Sequence, residues 1–133
     1  MWLLDTNAWI AYLEREPNPV KNRIAALPES AILLCDVVKA ELFYGAYKSS
    51  RIEQNLSKLE LLFSLINSLP FDGNAAREFG EIRAYLARQG TPIGPYDLQI
   101  AAIAKVHDLI LVTHNTREFS RVLGLRLEDW ELP

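Results

Sequence analysis

Apolar and polar positions along this chain follow two different periods. "WLL" (2–4), "AILLC" (31–35) and "LILVT" (109–113) are short, largely apolar runs, the pattern of strands buried on both faces. "LRL" (125–127) reads as a weaker fourth strand. "SLPF" (68–71) reads as a short fifth, which Pro70 restricts to an edge or an end. Between the strands the spacing becomes helical. Ile52, Leu56, Leu59, Phe63 and Ile66 step by four and three residues and mark one face of a long helix. Ala75, Ala76, Phe79, Ile82 and Leu86 do the same, with Gly90 as the stop. Val20, Ile24 and Leu27 mark a shorter helix ended by Pro28. Strands alternating with helices predict an α/β domain around a mainly parallel sheet of four to five strands. The helical link between the first two strands predicts a right-handed crossover. Sites in such sheets form at the carboxyl ends of strands, and Asp5 stands at one of those ends.

Composition narrows the class. The 133 residues suit one domain, expected to span 1–133. Half are apolar and 23% are charged, a soluble globular balance without a signature of disorder. No charged and apolar leader of the secretory kind opens the chain, and no run approaches the roughly 18–20 apolar residues of a membrane span. Cys35 is the single cysteine, so an internal disulfide and a cysteine-based zinc site are both excluded. A cytoplasmic location is the expectation. The net charge of −3 offers no overall basic field for nucleic acid. Two local runs, 44–58 and 113–127, each carry a net +2; either run alone is ordinary for a solvated helix face.

Three acids stand out. Asp5, ahead of "AWIAYL", suits a helix N-cap, which contributes about 1 kcal/mol with no function attached. Glu41 lies in "DVVKAELFYGA", where Asp36 can cap the helix and Gly45 can end it; it shares a face with Val37 and Tyr44, or is simply exposed. Asp97 lies in "GPYDLQIAAIAKVHD", with Pro95 suited to the first helical position and the acid in the first turn, where it complements the helix dipole. Ile100, Ala101 and Ala104 share its face, so Asp97 sits on a stripe facing the sheet with no basic residue near it in sequence. Asn115 follows "LILVT" at another strand end, where it also suits a turn or cap.

Convergence of Asp5, Glu41 and Asp97 to ~5 Å would cost ~3 kcal/mol per pair at an effective dielectric of ~20, or ~10 kcal/mol together. That is comparable with the stability of a whole domain. Such a cluster protonates or holds a divalent cation. Carboxylate and amide oxygens select a hard one, Mg²⁺ or Mn²⁺. The chemistry such a centre supports is hydrolysis of a phosphodiester by metal-activated water.

At these residues the sequence resembles the PIN-domain ribonucleases and, more narrowly, the VapC toxins of toxin–antitoxin pairs. "LLDTN" (3–7), "VVKAELFYGAYKS" (37–49), "PFDGNAAREFGEIRAYLARQGTPIGPYDLQIAA" (70–102) and "LVTHNTREFSRVLGLRLEDW" (111–130) carry the resemblance, in that order and over essentially the whole chain. It implies a three-layer αβα sandwich and an Mg²⁺- or Mn²⁺-dependent endoribonuclease. The metal-binding acids are then Asp5, Glu41 and Asp97, with Asn115 where many PIN domains have a fourth Asp. Asn7 and Thr113 become groups that orient the acids. Tyr96 and His114 depart from the family's usual residues, and Tyr96 either packs or stacks on a base. The implied partners are an RNA substrate, transfer, ribosomal or messenger, a small VapB-like antitoxin covering the acidic groove, and a second copy in a homodimer. Residues 44–66 are the expected contact surface.

The rival readings are weaker. A histidine-based ribonuclease would have only His107 and His114 to use. A receiver-type module with an acidic pocket would need a Lys at a later strand end, and none is there. A catalytically silent PIN-like binding module would not need the full acid set. No G-x-G-x-x-G, P-loop or serine-elbow motif occurs.

Overall fold

The computed structural model describes residues 1–132. Its elements follow the predicted alternation: β1 (Trp2–Leu4), α1 (Thr6–Leu13), α2 (Pro19–Ala25), β2 (Ile32–Cys35), α3 (Asp36–Tyr47), α4 (Ile52–Leu65), β3 (Ser68–Leu69), α5 (Gly73–Gln89), α6 (Pro95–Val106), β4 (Ile110–Val112), α7 (Thr116–Phe119) and β5 (Leu127–Glu128). The strands form one five-stranded sheet in the order β3-β2-β1-β4-β5, and every pairing is parallel. All four residues of β2 are buried. Successive strand side chains point to opposite faces, so helices must cover the sheet on both sides. The sheet is therefore the middle of three layers.

β1 is the central strand. Leu3 pairs with Leu33 of β2 on one side and with Leu111 of β4 on the other. The chain order reverses direction at β1, which makes its carboxyl end the switch point where a site is expected. The Asp5 amide continues the ladder by donating to the Val112 carbonyl at 3.0 Å, which fixes Asp5 beside the end of β4.

The helix signals held at several ends. Gly90 caps α5 at φ +70°, a left-handed conformation that favours glycine. Gly94 and Pro95 open α6 as anticipated. Ser68–Leu69 is the edge strand that Pro70 called for. Two expectations are corrected. Gly45 does not end α3: the helix runs on to Tyr47 because buried Ala46 keeps its inner face packed. Asp36 does not cap it; Cys35 occupies the cap position and the Asp36 carboxylate accepts from the Ser68 hydroxyl at 2.7 Å. The weak strand at 125–127 lies two residues later, at Leu127–Glu128. Among the described residues no helix is long and apolar enough to cross a membrane.

Candidate active site

Asp5 is the best-anchored acid. It is the N-cap of α1, and its Oδ1 accepts from the Ala8 amide at 2.9 Å. The Thr113 hydroxyl also bonds its side chain. Burial pushes the Asp5 carboxyl up from its ordinary range, these two bonds pull it back, and Glu131 and Glu41 push it up further. Thr113, 1% exposed, accepts the Asn115 amide at 3.0 Å, so the end of β4 and the end of β1 are tied through one hydroxyl.

Glu41 enters from α3, on the face of Val37 and Tyr44 that the helical spacing gave it. It is half-buried, and its Oε1 accepts from the Thr6 hydroxyl at 2.7 Å. Asn7, expected to orient an acid, is exposed and bonds none of them; Thr6, one helical step away, takes that part.

Asp97 sits in the first turn of α6, ahead of buried Ile100, Ala101 and Ala104. Burial, then the charges of Asp5, Glu41 and Glu118, push its carboxyl up to about 6. No hydrogen bond to this carboxylate, and no ion pair, exists among the described residues. It is therefore a negative charge surrounded by negative charge on a partly desolvated helix face.

Asn115 lies at the predicted place, but its side chain turns to Glu118, donating to Oε2 at 2.8 Å. Glu118 is the acid that sequence reasoning missed. It lies one turn along α7 and raises the pKa of Asp97. Its only signal was the i, i+3 spacing from Asn115, which is indistinguishable from a local helix-start contact.

The four acids share one electrostatic field without collapsing together. One oxygen each from Asp5, Glu41 and Asp97 do not all come within 4.8 Å of one another; among the described residues only His114, Asp129 and Glu131 close to that distance. The Thr6 hydroxyl bonds Glu41 and the Thr113 hydroxyl bonds Asp5. The donor set is oxygen-only and anionic, which fits a hard divalent cation. Cys35 is buried with its thiol pushed up to about 11, first by burial, so it is no nucleophile at neutral pH.

The basic runs are partly used by the fold. Arg126 bonds Asp108, and Arg121 bonds the Pro92 carbonyl at 3.2 Å, which leaves Arg117 as the uncommitted cation of 113–127 among the described residues. In the other run, Lys48 lies 5.0 Å from the ring of exposed Tyr44.

Comparison with known proteins shows the family. The PIN domain model matches residues 2–125. The chain is 46% identical over 129 residues to a protein of Shigella flexneri named tRNA(fMet)-specific endonuclease VapC, covering 97% of each. It is 40% identical over 131 residues to Ribonuclease VapC2 of Haemophilus influenzae, again covering 97% of each. Among solved structures, DNA-bound VapBC from Salmonella typhimurium superposes with a TM-score of 0.89 at 41% identity, covering 97% of each chain. PIN-domain nucleases depend in general on a divalent metal. The chain belongs to the PIN-domain family and, within it, to the VapC endoribonucleases, the toxin members of VapBC toxin–antitoxin pairs.

Proposed function

We propose that Asp5, Glu41 and Asp97 hold Mg²⁺, with Mn²⁺ able to replace it, and that the chain cuts transfer RNA at this centre. Asp97 carries the reading: a half-buried carboxylate with its pKa pushed up to about 6, facing three other acids and no protein cation. A fold keeps a group in that condition where its charge is used. When bound, the ion makes water a stronger acid near neutral pH and offsets charge on a phosphate.

The chain's own residues do the positioning. The end of the central strand and the Thr113 hydroxyl fix Asp5. Thr6 fixes Glu41, and Asn115 steadies Glu118, which we add to the acid set. The product ends under this reading are 5′-phosphate and 3′-hydroxyl. Arg117, together with Lys48, Arg51 and Lys58 of the 44–58 run, supplies the cations that can meet the RNA backbone. Transfer RNA is favoured as the substrate class by the relatives from Shigella and Salmonella, both named as tRNA(fMet)-specific endonucleases.

The partner reading follows from the surface. An apolar groove of about 330 Å³ runs between α1, α3 and α4, lined by Ile10, Leu13, Leu42, Ala46 and Leu59, with Glu41 also in its wall. We assign it to an amphipathic segment of a small VapB-like antitoxin that brings a basic side chain to Glu41. VapBC complexes from Salmonella typhimurium and Rickettsia felis, whose toxin chains superpose on this one, support that assignment. Homodimerisation belongs to the same reading; light scattering on antitoxin-free protein should give twice the chain mass of 15.1 kDa.

The direct test incubates antitoxin-free protein with total RNA and sequences the new 5′ ends. Discrete cuts in a transfer RNA, with Mg²⁺ and not with a chelator, are expected. Cuts confined to ribosomal or messenger RNA would overturn the substrate class, and cutting in chelator would overturn the metal.

A further inference from the structure

We propose that His114, Asp129 and Glu131 form a second cation site, next to the Asp5–Glu41–Asp97 set and suited to a borderline divalent metal such as Zn²⁺. His114 follows the end of β4, while Asp129 and Glu131 follow the end of β5. Parallel pairing of these neighbouring strands, with Val112 opposite Glu128, brings the two segments side by side.

The spacing of the donors is the main observation. His114 Nδ1 lies 2.9 Å from Asp129 Oδ2 and 3.2 Å from Glu131 Oε2, and one donor atom of each residue lies within 4.8 Å of the other two. Metal bonds of about 2.0–2.2 Å to nitrogen and oxygen place neighbouring ligand atoms roughly 3.0–3.5 Å apart in octahedral or tetrahedral geometry. The two contacts to Nδ1 are thus close to the edges of such a polyhedron before any ion enters. Asp129 is further fixed because its other oxygen accepts the Glu131 amide at 3.0 Å. The Asp5–Glu41–Asp97 carboxylates lack this spacing.

The donor types set the metal. An imidazole nitrogen with two carboxylates favours Zn²⁺, Co²⁺ or Ni²⁺ over Mg²⁺, whose preference is for oxygen alone. The two carboxylates neutralise the charge of a divalent ion. The same groups also form a hydrogen-bonded ion pair, with the Nδ1 proton between two carboxylates. Metal binding at Nδ1 displaces the proton held there: from the imidazolium it goes to solvent, one per ion, and in the neutral ring it is carried by Nε2 instead, with no net release.

The test uses the full chain without a histidine tag and titrates ZnCl₂ alone by calorimetry, in two buffers of different ionisation heat. Asp97→Asn removes an acid from the other centre and should still bind one Zn²⁺ per chain. Adding His114→Ala should weaken that binding roughly tenfold or more, and Glu131→Gln should weaken it less. Both side chains are exposed, so neither change threatens folding. Absence of Zn²⁺ binding by Asp97→Asn, or binding indifferent to His114→Ala, would overturn the site and leave the cluster as an ion pair.

Discussion

Asp5 and Asp97 are both carboxylates at the start of a helix, and both suit that position with no function attached. The structure separates them. Asp5 has an amide, a hydroxyl and a strand end to hold it. Asp97 has none of these and faces Asp5, Glu41 and Glu118. Asp5 therefore serves the fold and the site together, whereas Asp97 serves the site at the expense of the fold. Substitutions at the two positions should have similar effects on activity and opposite effects on stability.

The largest expected effect is on cleavage. Asp97→Asn and Asp5→Ala should each lower RNA cleavage by more than ~100-fold, and a chelator should abolish it in the wild type; single-turnover rates on a short RNA check this. Next is stability without added metal. Asp5→Ala loses a cap worth about 1 kcal/mol, which should lower the melting temperature by about 4 °C at low pH and by less at pH 7, where burial already disfavours the Asp5 charge. Asp97→Asn should instead raise it at pH 7. The folded-state pKa of Asp97 is raised from 3.8 to about 6, so the fold holds this proton more tightly than the unfolded chain does. Its favourable contribution is complete below about pH 4 and is lost as pH rises through 6. The advantage of Asp97→Asn should accordingly vanish near pH 4 and level off above pH 6, as thermal scans across that range would show. Equal behaviour of the two variants would break the comparison.

Smaller effects sharpen it. Thr113→Val removes the hydroxyl that bonds Asp5 and should cost ~10–100-fold in cleavage while leaving Asp97 untouched. Thr6→Val frees Glu41, which keeps its place on α3 and stays accessible to solvent, so the loss should be toward the lower end of that range; steady-state kinetics on both variants gives the order.

Much of this was legible in the sequence because it rests on local rules. The apolar stripe behind Asp97, the Pro95 start and the Gly90 stop each depend on neighbours within a turn or two, and the structure follows them. What the sequence withheld depends on tertiary contact. Gly45 looked like a stop because local propensity cannot see that Ala46 is packed. The family resemblance gave Asn7 an orienting role, yet the approach of α3 brings Glu41 to Thr6 instead. Glu118 hid in an ordinary helix start, and the His114–Asp129–Glu131 group depends on strand pairing across 15 or more residues.

The most direct test of the central claim, that Asp97 is kept unpaired to bind a cation, is Mn²⁺ binding followed by electron paramagnetic resonance between pH 5 and 8. The His114→Ala background keeps the His114–Asp129–Glu131 cluster out of the signal. The account predicts one bound ion whose affinity falls as pH drops through about 6, and loss of that binding in Asp97→Asn. Binding that is flat across this range, or unchanged by Asp97→Asn, would contradict it.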